Sequence, residues 1–211
     1  DYRGVMLAQY RSSTALGIDF VCRHAGQGTH VEVMSPGAFS ASDALCAIAL
    51  CGAFGVMPAQ AAATLAHTPV QGRFEVVEGL PGRTFIVDYS HNGLSLTSAL
   101  QTLRAYNPHR LICVFGSVGG RTQVRELAEA SGRYADYTVI TSDNPDNEPP
   151  EDVIRDIASY MPPDAPYTCI TDRREAIYAA VKMAQPGDIV LFAGKGHEDY
   201  QIIGKTKVHM D

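Results

Sequence analysis

Four polar or glycine-rich segments carry most of the side chains in this chain that are suited to chemistry. Each follows a short apolar run, and together they span residues 88–93, 116–122, 142–148 and 194–200. Their carboxylates, histidines, lysine and arginine can bind phosphates, carboxylates and amines through charge-assisted hydrogen bonds. We therefore expect these segments to form one ligand-binding site.

Each segment taken alone also has a structural explanation. The glycines within residues 116–120 allow a tight turn into a helix, and their spacing departs from the GxGxxG pattern of dinucleotide-binding loops. Residues 143–145, Asp-Asn-Pro, form an ordinary turn sequence, Asp88 would serve as a helix cap, and His91 as an exposed loop residue. The structural explanation must hold at four places at once, which favours the functional one.

Apolar β-branched runs alternate with amphipathic helical patterns in the last two thirds of the chain. The predicted strands span residues 84–87, 111–115, 137–141, 167–170 and 189–193, and the predicted helices span residues 94–106, 123–134, 150–160 and 173–184. This alternation predicts an α/β fold, a Rossmann-like and mostly parallel sheet with helices on both faces. Ligands bind beyond the carboxyl ends of strands in such sheets, where the four polar segments lie. Ile202 and Ile203 are expected to add an edge strand.

The first third of the chain has a different pattern. It predicts a hairpin at residues 17–33 and helices at residues 39–55 and 58–66. Ser40, Ser42 and Asp43 are the candidate caps of the first helix. A break in the pattern near residue 70 predicts a boundary between domains of residues 1–70 and 71–211.

The composition disfavours several classes of protein. The 211 residues are 45% apolar and 19% charged, with a net charge of -6 and scattered Lys and Arg, so no basic face is available for nucleic acid. No apolar run is long enough to span a membrane, which favours a cytoplasmic protein. The five cysteines lack CxxC spacing, so we expect buried free thiols rather than disulfides or a cysteine-bound metal.

Five ordered motifs carry a resemblance to a known family. They are Gly72-Arg73-Phe74-Glu75, Asp88-Tyr89-Ser90-His91-Asn92, the glycine-rich residues 116–121, Asp143-Asn144-Pro145 and Gly194-Lys195-Gly196-His197-Glu198. In this order they resemble the Mur ligases, specifically the tripeptide-forming ligases that act on UDP-N-acetylmuramoyl-L-alanyl-D-glutamate. Residues 35–39 and the alanine-rich helix after them also resemble the end of the family's central ATP-binding domain.

The resemblance implies a three-domain enzyme of which this chain holds two parts. Residues 1–70 match the carboxyl-terminal portion of the central ATP-binding α/β domain, and residues 71–211 match the carboxyl-terminal domain that binds the acceptor amino acid. The family's GxxGKS/T phosphate loop, its central-domain metal ligands and its carbamylated lysine do not occur in these 211 residues. The resemblance thus implies no catalytic residue and no metal ligand here, and the chain alone is expected to be inactive.

The implied reaction forms an amide bond in a peptidoglycan precursor. ATP phosphorylates the D-glutamate carboxylate of the precursor, and the amine of a free amino acid attacks the acyl phosphate. Magnesium would offset the phosphate charge. The implied cofactors are therefore ATP and Mg²⁺, and the implied partners are UDP-N-acetylmuramoyl-L-alanyl-D-glutamate and a free amino acid.

The motif matches imply a role for each residue. Arg73, Asp88 and His91 match residues that face ATP. Arg121 matches the arginine that binds the acceptor's α-carboxylate, a role that suits a planar guanidinium flanked by glycine N–H groups. The other matched residues surround the side-chain end of the acceptor: Asp143, Asn144, Asp146, Gly194 and Glu198.

Asp146 bears on which amino acid is added. Ligases that select meso-diaminopimelate have Arg after Asp-Asn-Pro, where it binds the distal carboxylate, whereas this chain has Asp146, Asn147 and Glu148. An ammonium group would find an anionic pocket there, so L-lysine is the predicted acceptor. Losing one charged hydrogen bond costs about 1.5–3 kcal/mol, or roughly ten- to a hundredfold in selectivity. The alternatives are meso-diaminopimelate, ornithine, or glutamate as in folylpolyglutamate-type relatives.

Two alternatives come from other classes of protein. One is a non-catalytic module that binds a nucleotide or an amino acid and is complete as it stands. The other is a nicotinamide-dependent dehydrogenase, which the fold alone suggests, although its glycine fingerprint is missing and fold does not determine function.

Overall fold

The computed structural model describes residues 2–12, 15–77 and 79–210. The chain divides into two compact units, Asp1–Val70 and Gln71–Asp211, each with its own hydrophobic core. Within the described part of the chain, no helix combines the length and the apolar character needed to cross a membrane.

The first unit is a three-stranded antiparallel sheet with two helices. Its elements are β1 (Tyr2–Ser12), β2 (Ala15–His24), β3 (Gln27–Val33), α1 (Ala38–Ala53) and α2 (Pro58–Leu65), and the sheet order is β1-β2-β3. Alternate residues of a strand share a face, so Ile18 and Phe20 both enter the core, together with Val31 of β3 and Ile48 of α1. The predicted hairpin and both predicted helices are confirmed, and β1 is an additional strand.

The start of α1 differs from the prediction. The helix begins at Ala38, and its N-cap residue is Gly37, which has no side chain to accept a hydrogen bond from the first turn. Ser40 is buried, and its hydroxyl donates a hydrogen bond to the carbonyl of Pro36 over 2.9 Å. The cap predicted at Ser40, Ser42 or Asp43 is therefore wrong, because the helix starts before all three residues.

The second unit is built on a six-stranded sheet in the order β4-β5-β9-β6-β7-β8. The strands are β4 (Glu75–Val77), β5 (Thr84–Asp88), β6 (Leu111–Phe115), β7 (Tyr137–Ile140), β8 (Tyr167–Cys169) and β9 (Ile189–Ala193). β4 pairs with β5 in the antiparallel direction, and all other neighbours are parallel. This confirms the predicted α/β class, and β4 is the one strand of this sheet that the sequence pattern did not predict.

Four helices connect the parallel strands. They are α3 (Gly93–Arg104), α4 (Val124–Tyr134), α5 (Pro150–Ser159) and α6 (Arg173–Met183). Two of them begin at a side-chain cap: Asn92 accepts a hydrogen bond from the Ser95 N–H, and Asp172 accepts one from the Glu175 N–H, both over 2.9 Å. All four helices confirm the predicted segments to within a few residues.

The helices lie on both faces of the sheet. On one face, Ile112 and Val114 of β6 pack in the same cluster as Ala176 and Ala180 of α6. Between them in sequence, Cys113 points to the other face, where its thiol contacts Ser131 of α4. Burial raises the pKa of the Cys113 thiol to about 12, so this cysteine is a structural residue.

The segment after β9 forms a hairpin of its own. β10 (Tyr200–Ile203) and β11 (Thr206–His209) pair only with each other as a two-stranded sheet. The edge strand predicted at Ile202 and Ile203 is therefore formed but is wrong as a part of the main sheet. β10 instead contacts the loop after β7, through a bridge from Ile203 to Asp146 and a hydrogen bond from the Ile202 N–H to Oδ1 of Asn144 over 2.9 Å.

The five cysteines are free thiols that differ in burial. Cys22 and Cys113 are buried, as expected, Cys51 on α1 is half-buried, and Cys46 on α1 and Cys169 at the end of β8 are exposed. β8 is an edge strand, so an apolar run there does not require burial on both faces. The expectation of uniformly buried cysteines is wrong for these two residues.

Candidate functional site

The four polar segments lie at the carboxyl ends of four adjacent strands. β5, β9, β6 and β7 follow one another across the sheet, and all four run parallel. The loops that leave them therefore meet at one edge of the second unit, which is the edge where ligands bind in such sheets.

Lys195 lies at the centre of this edge and is buried. Its Nζ is 2.6 Å from Oδ1 of Asn144, 3.0 Å from Oε2 of Glu198 and 3.3 Å from Oδ1 of Asp143. The ammonium group thus donates two hydrogen bonds, and Asp143 adds an ion pair. Lys195 joins the loops after β7 and β9 into one unit.

Glu198 collects further hydrogen bonds from the neighbouring loops. The Tyr89 hydroxyl donates to Oε1 over 3.2 Å, and the Asn144 amide donates to Oε2 over 3.4 Å. Burial opposes ionisation of Glu198, but the hydrogen bond and charge of Lys195, with those from Asn144 and Tyr89, hold its pKa below the ordinary value. Glu198 is therefore an anion at neutral pH.

Arg173 is buried beneath this group and fixes the strand ends. Its guanidinium donates to the carbonyl of Ser142 over 3.1 Å and to that of Ala193 over 2.9 Å, and it lies 3.9 Å from Oδ2 of Asp143. Ala193 is the last residue of β9 and Ser142 lies two residues after the end of β7, and β6 lies between these two strands. Arg173 thus sets the spacing of the two loops that carry Asp143 and Gly194.

Asp88 is buried, and both of its carboxylate oxygens accept hydrogen bonds. Oδ1 accepts from the Phe74 N–H over 2.9 Å, and Oδ2 accepts from the N–H and the hydroxyl of Ser90. The helix-cap explanation for Asp88 is wrong, because Asn92 caps α3. Asp88 instead joins the segment before β4 to the loop after β5.

Tyr89 is contacted by three exposed residues, two of which come from other loops. The guanidinium of Arg73 lies over its ring at 4.6 Å, and the rings of His91 and His197 lie at 4.8 and 5.3 Å. His91 also has its Nδ1 2.8 Å from the Tyr89 carbonyl. The structure thereby brings Arg73, Asp88 and His91 to one place.

The backbone of the glycine-rich loop after β9 packs directly on Gly72. Gly72 has φ of 67°, and a Cβ there would overlap the backbone of Gly196 and His197. Gly194 has φ of 106°, and a Cβ on it would lie 2.7 Å from Oδ2 of Asp143. Side chains at these positions would push the loop away from Asp143 and from residue 72.

Arg121 is bound by a carboxylate of the same unit. Its Nε and Nη2 both lie 2.6 Å from Oε2 of Glu148, and the Gly120 N–H donates to Oε1 over 2.7 Å. On its other side, Nη1 is 3.8 Å from Oδ2 of Asp156. Arg121 and Asp156 line an open cleft of about 420 Å³, together with residues of α5.

Asp146 is not among the residues that contact Lys195. The residue is exposed, has φ of 54° and bridges Ile203 through its backbone. Its side chain runs beside Gly119, since a Cβ there would lie 3.0 Å from Oδ2 of Asp146.

The structure therefore places the nine predicted site residues in three contacting groups. Asp143, Asn144, Gly194 and Glu198 surround Lys195; Arg73, Asp88 and His91 surround Tyr89; and Arg121, with Asp146 nearby, occupies the loops after β6 and β7. The Tyr89 hydroxyl joins the first two groups, and a hydrogen bond from the Gly119 N–H to the Asn144 carbonyl joins the first and the third.

Four residues that shape this site were not among the predicted ones: Lys195, Tyr89, Arg173 and Glu148. Lys195 carried a signal, because a lysine three residues before an acid in a glycine loop is suited to a local ion pair. Arg173 carried none, since it begins a helix far from the motifs in sequence.

The acidic residues of the site do not form a metal centre. Asp143 and Glu198 both contact the ammonium of Lys195, so a cation there would meet a positive charge. Among the described residues, the only group of three or more potential metal ligands within 4.8 Å of one another is Asp19, His30 and Glu32 in the first unit.

The fold and the site together define an α/β domain with charged side chains gathered at the carboxyl ends of a parallel sheet. Residues 72–196 match the family described as Mur ligase, glutamate ligase domain. This match covers more than half of the chain. The chain therefore belongs to the Mur ligase family, as the motif resemblance predicted.

Relatives and a solved structure agree with this assignment. The chain is 37% identical, over its whole length, to the UDP-N-acetylmuramoyl-L-alanyl-D-glutamate--2,6-diaminopimelate ligase of Caldanaerobacter subterraneus subsp. tengcongensis, of which it covers 44%. It is 43% identical over 86% of its length to the ligase of the same name from Geobacillus thermodenitrificans, covering 38% of that protein. A solved structure of a ligase with this name matches 92% of the chain and 40% of its own length, at 30% identity and a TM-score of 0.66. The chain thus spans less than half the length of these relatives.

Proposed function

We propose that this chain is the acceptor-binding part of an ATP-dependent ligase that extends UDP-N-acetylmuramoyl-L-alanyl-D-glutamate by one amino acid. The observation that carries the proposal is the position of Arg121 on a loop that is linked to the Lys195 group. Its guanidinium lines an open cleft, where it can bind the carboxylate of an amino acid, and the Gly119 N–H joins its loop to the Asn144 carbonyl over 2.9 Å. Asp143 and Glu198 are paired with Lys195, so we assign to them the role of holding the loops around the acceptor.

Arg73, Asp88 and His91 are the residues that we assign to the ATP side. Arg73 is exposed and lies over Tyr89, where its charge is available to phosphate oxygens. Asp88 is buried and supports this role indirectly, since its carboxylate holds the backbone of Phe74, next to Arg73. We propose that Mg²⁺ binds the phosphates of ATP and enters the site as the Mg²⁺–ATP complex.

The acceptor that we propose is diaminopimelate. The relatives from Caldanaerobacter and Geobacillus, and the matching solved structure, are all named as diaminopimelate ligases. The L-lysine prediction finds no support among them. Its physical basis is also weaker than the sequence suggested, because the Glu148 charge is paired with Arg121 and Asp146 is exposed.

The roles of the two units follow from the same proposal. We assign residues 1–70 to the end of the central ATP-binding domain and residues 71–211 to the acceptor-binding domain. The remaining length of such a ligase would supply the phosphate loop and the catalytic residues, so the 211-residue chain alone is expected to release no phosphate.

The test is acceptor-dependent phosphate release by the full-length protein that contains this chain. The assay supplies ATP, Mg²⁺ and the UDP-linked dipeptide precursor, with meso-diaminopimelate, L-lysine or L-ornithine as acceptor. The expected result is the highest kcat/KM with meso-diaminopimelate. A higher value with lysine would overturn the acceptor and keep the ligase, whereas no release with any acceptor would favour a non-catalytic binding module.

A further inference from the structure

The contact between Glu148 and Arg121 occupies one side of the guanidinium with two short bonds, because Nε and Nη2 both lie 2.6 Å from Oε2 of Glu148. On the other side, Nη1 has only a longer ion pair, 3.8 Å from Oδ2 of Asp156. Arg121 and Asp156 both line the cleft of about 420 Å³, and the Arg121 side chain is 32% exposed. A guanidinium can bind two carboxylates on different sides, because its five N–H donors lie in one plane.

The backbone at Arg121 explains why this residue needs a fixed partner. Gly120 and Arg121 have φ of 80° and 55°, both in the left-handed region. A residue with a side chain adopts the left-handed conformation only where other contacts offset its energetic cost, and residues strained in this way cluster at functional sites. Glu148 provides these contacts, since one of its oxygens accepts a hydrogen bond from the Gly120 N–H over 2.7 Å and the other accepts one from the Arg121 side chain.

The loop that carries Glu148 is itself fixed to the loop that carries Arg121. The Gly119 N–H donates to the Asn144 carbonyl over 2.9 Å, and a Cβ on Gly119 would lie 2.8 Å from the Pro145 carbonyl oxygen. The Glu148 N–H in turn donates to the Pro145 carbonyl over 3.0 Å. Residues 119–121 and 144–148 therefore form one interlocked unit.

Glu148 is charged under working conditions. The hydrogen bond from the Gly120 backbone, with the hydrogen bonds and charge of Arg121, lowers its pKa below the ordinary value, against a smaller opposing effect of burial. The pair is therefore a carboxylate and a guanidinium at neutral pH.

We propose that Glu148 is a positioning residue for the acceptor: it holds Arg121 by the Nε side so that the Nη1 side receives the acceptor's α-carboxylate. This assignment rests on the proposed ligase function. Glu148 itself does not contact the acceptor in this arrangement, and it acts only through the orientation of Arg121.

A second role of Glu148 is compatible with the same contacts and has the opposite effect on acceptor binding. Glu148 would then be an internal substitute for the acceptor's carboxylate, which the acceptor must displace before it binds. Removing Glu148 would weaken acceptor binding under the positioning role and strengthen it under the substitute role. The apparent affinity for the acceptor therefore separates the two.

The experiment measures steady-state kinetics of the full-length protein with Glu148→Gln, which keeps the size of the side chain and removes its charge. The expected result is an acceptor KM raised by about tenfold, with the KM for ATP and the kcat at saturating acceptor within about twofold of wild type. Glu148→Asp keeps the charge with a shorter reach, and a smaller rise in acceptor KM is expected. Glu129→Gln is the matched control, because it removes an exposed carboxylate that pairs with Arg125 at 2.8 Å on α4.

A double-mutant cycle tests the route through Arg121. In an Arg121→Ala background, Glu148→Gln should change the acceptor KM by less than about twofold, since its target is gone. An unchanged or lowered acceptor KM in Glu148→Gln, or an equal effect of the substitution with and without Arg121, would overturn the positioning role while wild type remains active. If wild type itself releases no phosphate with any acceptor, the proposed function fails, and this assignment fails with it.

Discussion

Lys195 and Glu198, three residues apart in the loop after β9, form an ion pair that is largely withdrawn from water. Nζ lies 3.0 Å from Oε2, and the two side chains are 6% and 16% exposed. The same ammonium also lies 3.3 Å from Asp143, so one cation compensates two carboxylates. Removal of one partner from such a buried group leaves uncompensated charge, which costs far more than the pair contributes.

Lys195→Met should therefore destabilise the protein strongly. We expect a loss of about 3–5 kcal/mol in the free energy of unfolding, because Glu198 loses its counter-charge and Asp143 keeps only the more distant Arg173, at 3.9 Å. Urea unfolding followed by circular dichroism measures this change. Lys182→Met, at an exposed position near the end of α6, is the control and should change stability by less than about 0.5 kcal/mol. Equal midpoints for the two variants would contradict the buried-charge argument.

Arg121→Ala should affect the acceptor and not ATP. We expect the KM for the acceptor amino acid to rise by roughly ten- to a hundredfold, since a charged hydrogen bond contributes about 1.5–3 kcal/mol. The KM for ATP should stay within about twofold. Both constants come from phosphate-release kinetics of the full-length protein.

Arg155→Ala is the matched control for Arg121→Ala. Arg155 lines the same cleft but is 76% exposed and pairs with Asp152 on α5. Its loss should change the acceptor KM by less than about threefold, because exposed ion pairs contribute little. A larger effect at Arg155 than at Arg121 would move the carboxylate-binding role to α5.

Gly72→Ala should disturb the loop that carries Glu198. An alanine there must adopt φ of 67° and would also meet the backbone of Gly196 and His197, which cannot move like a side chain. Gly204→Ala has the same kind of backbone angle, φ of 62°, with no atom near the added methyl group. Gly204→Ala should cost about 1–2 kcal/mol from strain alone, and Gly72→Ala about 1–3 kcal/mol more. Chemical denaturation of both variants gives the difference, and equal losses would show that the contact with residues 196–197 is unimportant.

The buried charge of Asp188 is expected to stabilise the folded protein to a degree that depends on pH. Burial disfavours its charge, but hydrogen bonds from Arg110, from the Gln185 N–H and from His109 hold the pKa of Asp188 below its ordinary value. A carboxyl group with a lower pKa in the folded state adds stability above its unfolded pKa, about 4, and this stability is lost as pH falls through the folded pKa.

Asp188→Asn should therefore be less stable than wild type by about 3 kcal/mol at pH 7. The difference should shrink as pH falls below about 4, because the wild-type carboxyl group then also loses its charge. Urea unfolding at several pH values from 3 to 7 measures the difference. A constant gap between the two proteins over this range would rule out the Asp188 charge as its source.

The sequence predicted best those parts of the fold in which burial leaves little choice. β5, β6 and β9 are central parallel strands, and continuous apolar runs such as Leu111–Phe115 mark them clearly. β4 was missed because Glu75–Val77 is three residues long and largely exposed, so neither length nor alternation distinguishes it. The edge strand expected near Ile202 was wrong because a local pattern contains no information on where the preceding strand lies in the sheet.

For the site, the sequence predicted where the residues lie but not which of them contact one another. The strand ends and the motif residues could be placed from the order of the elements, since parallel strands deliver their loops to one edge. The contacts could not: Lys195 binds Asn144, which is 51 residues away, and Glu148 binds Arg121 across 27 residues. Those pairs depend on distances between loops that neither sequence spacing nor residue type determines.

The central position of β9 also has a consequence for how the second unit is made. β9 separates β5 from β6 and is the last of the six strands to leave the ribosome. Until residues 189–193 emerge, β5 and β6 each present an unpaired backbone edge, and the parallel sheet lacks its middle. Sheet completion and assembly of the Lys195 loop, which begins one residue after β9, therefore wait until the other five strands have been made.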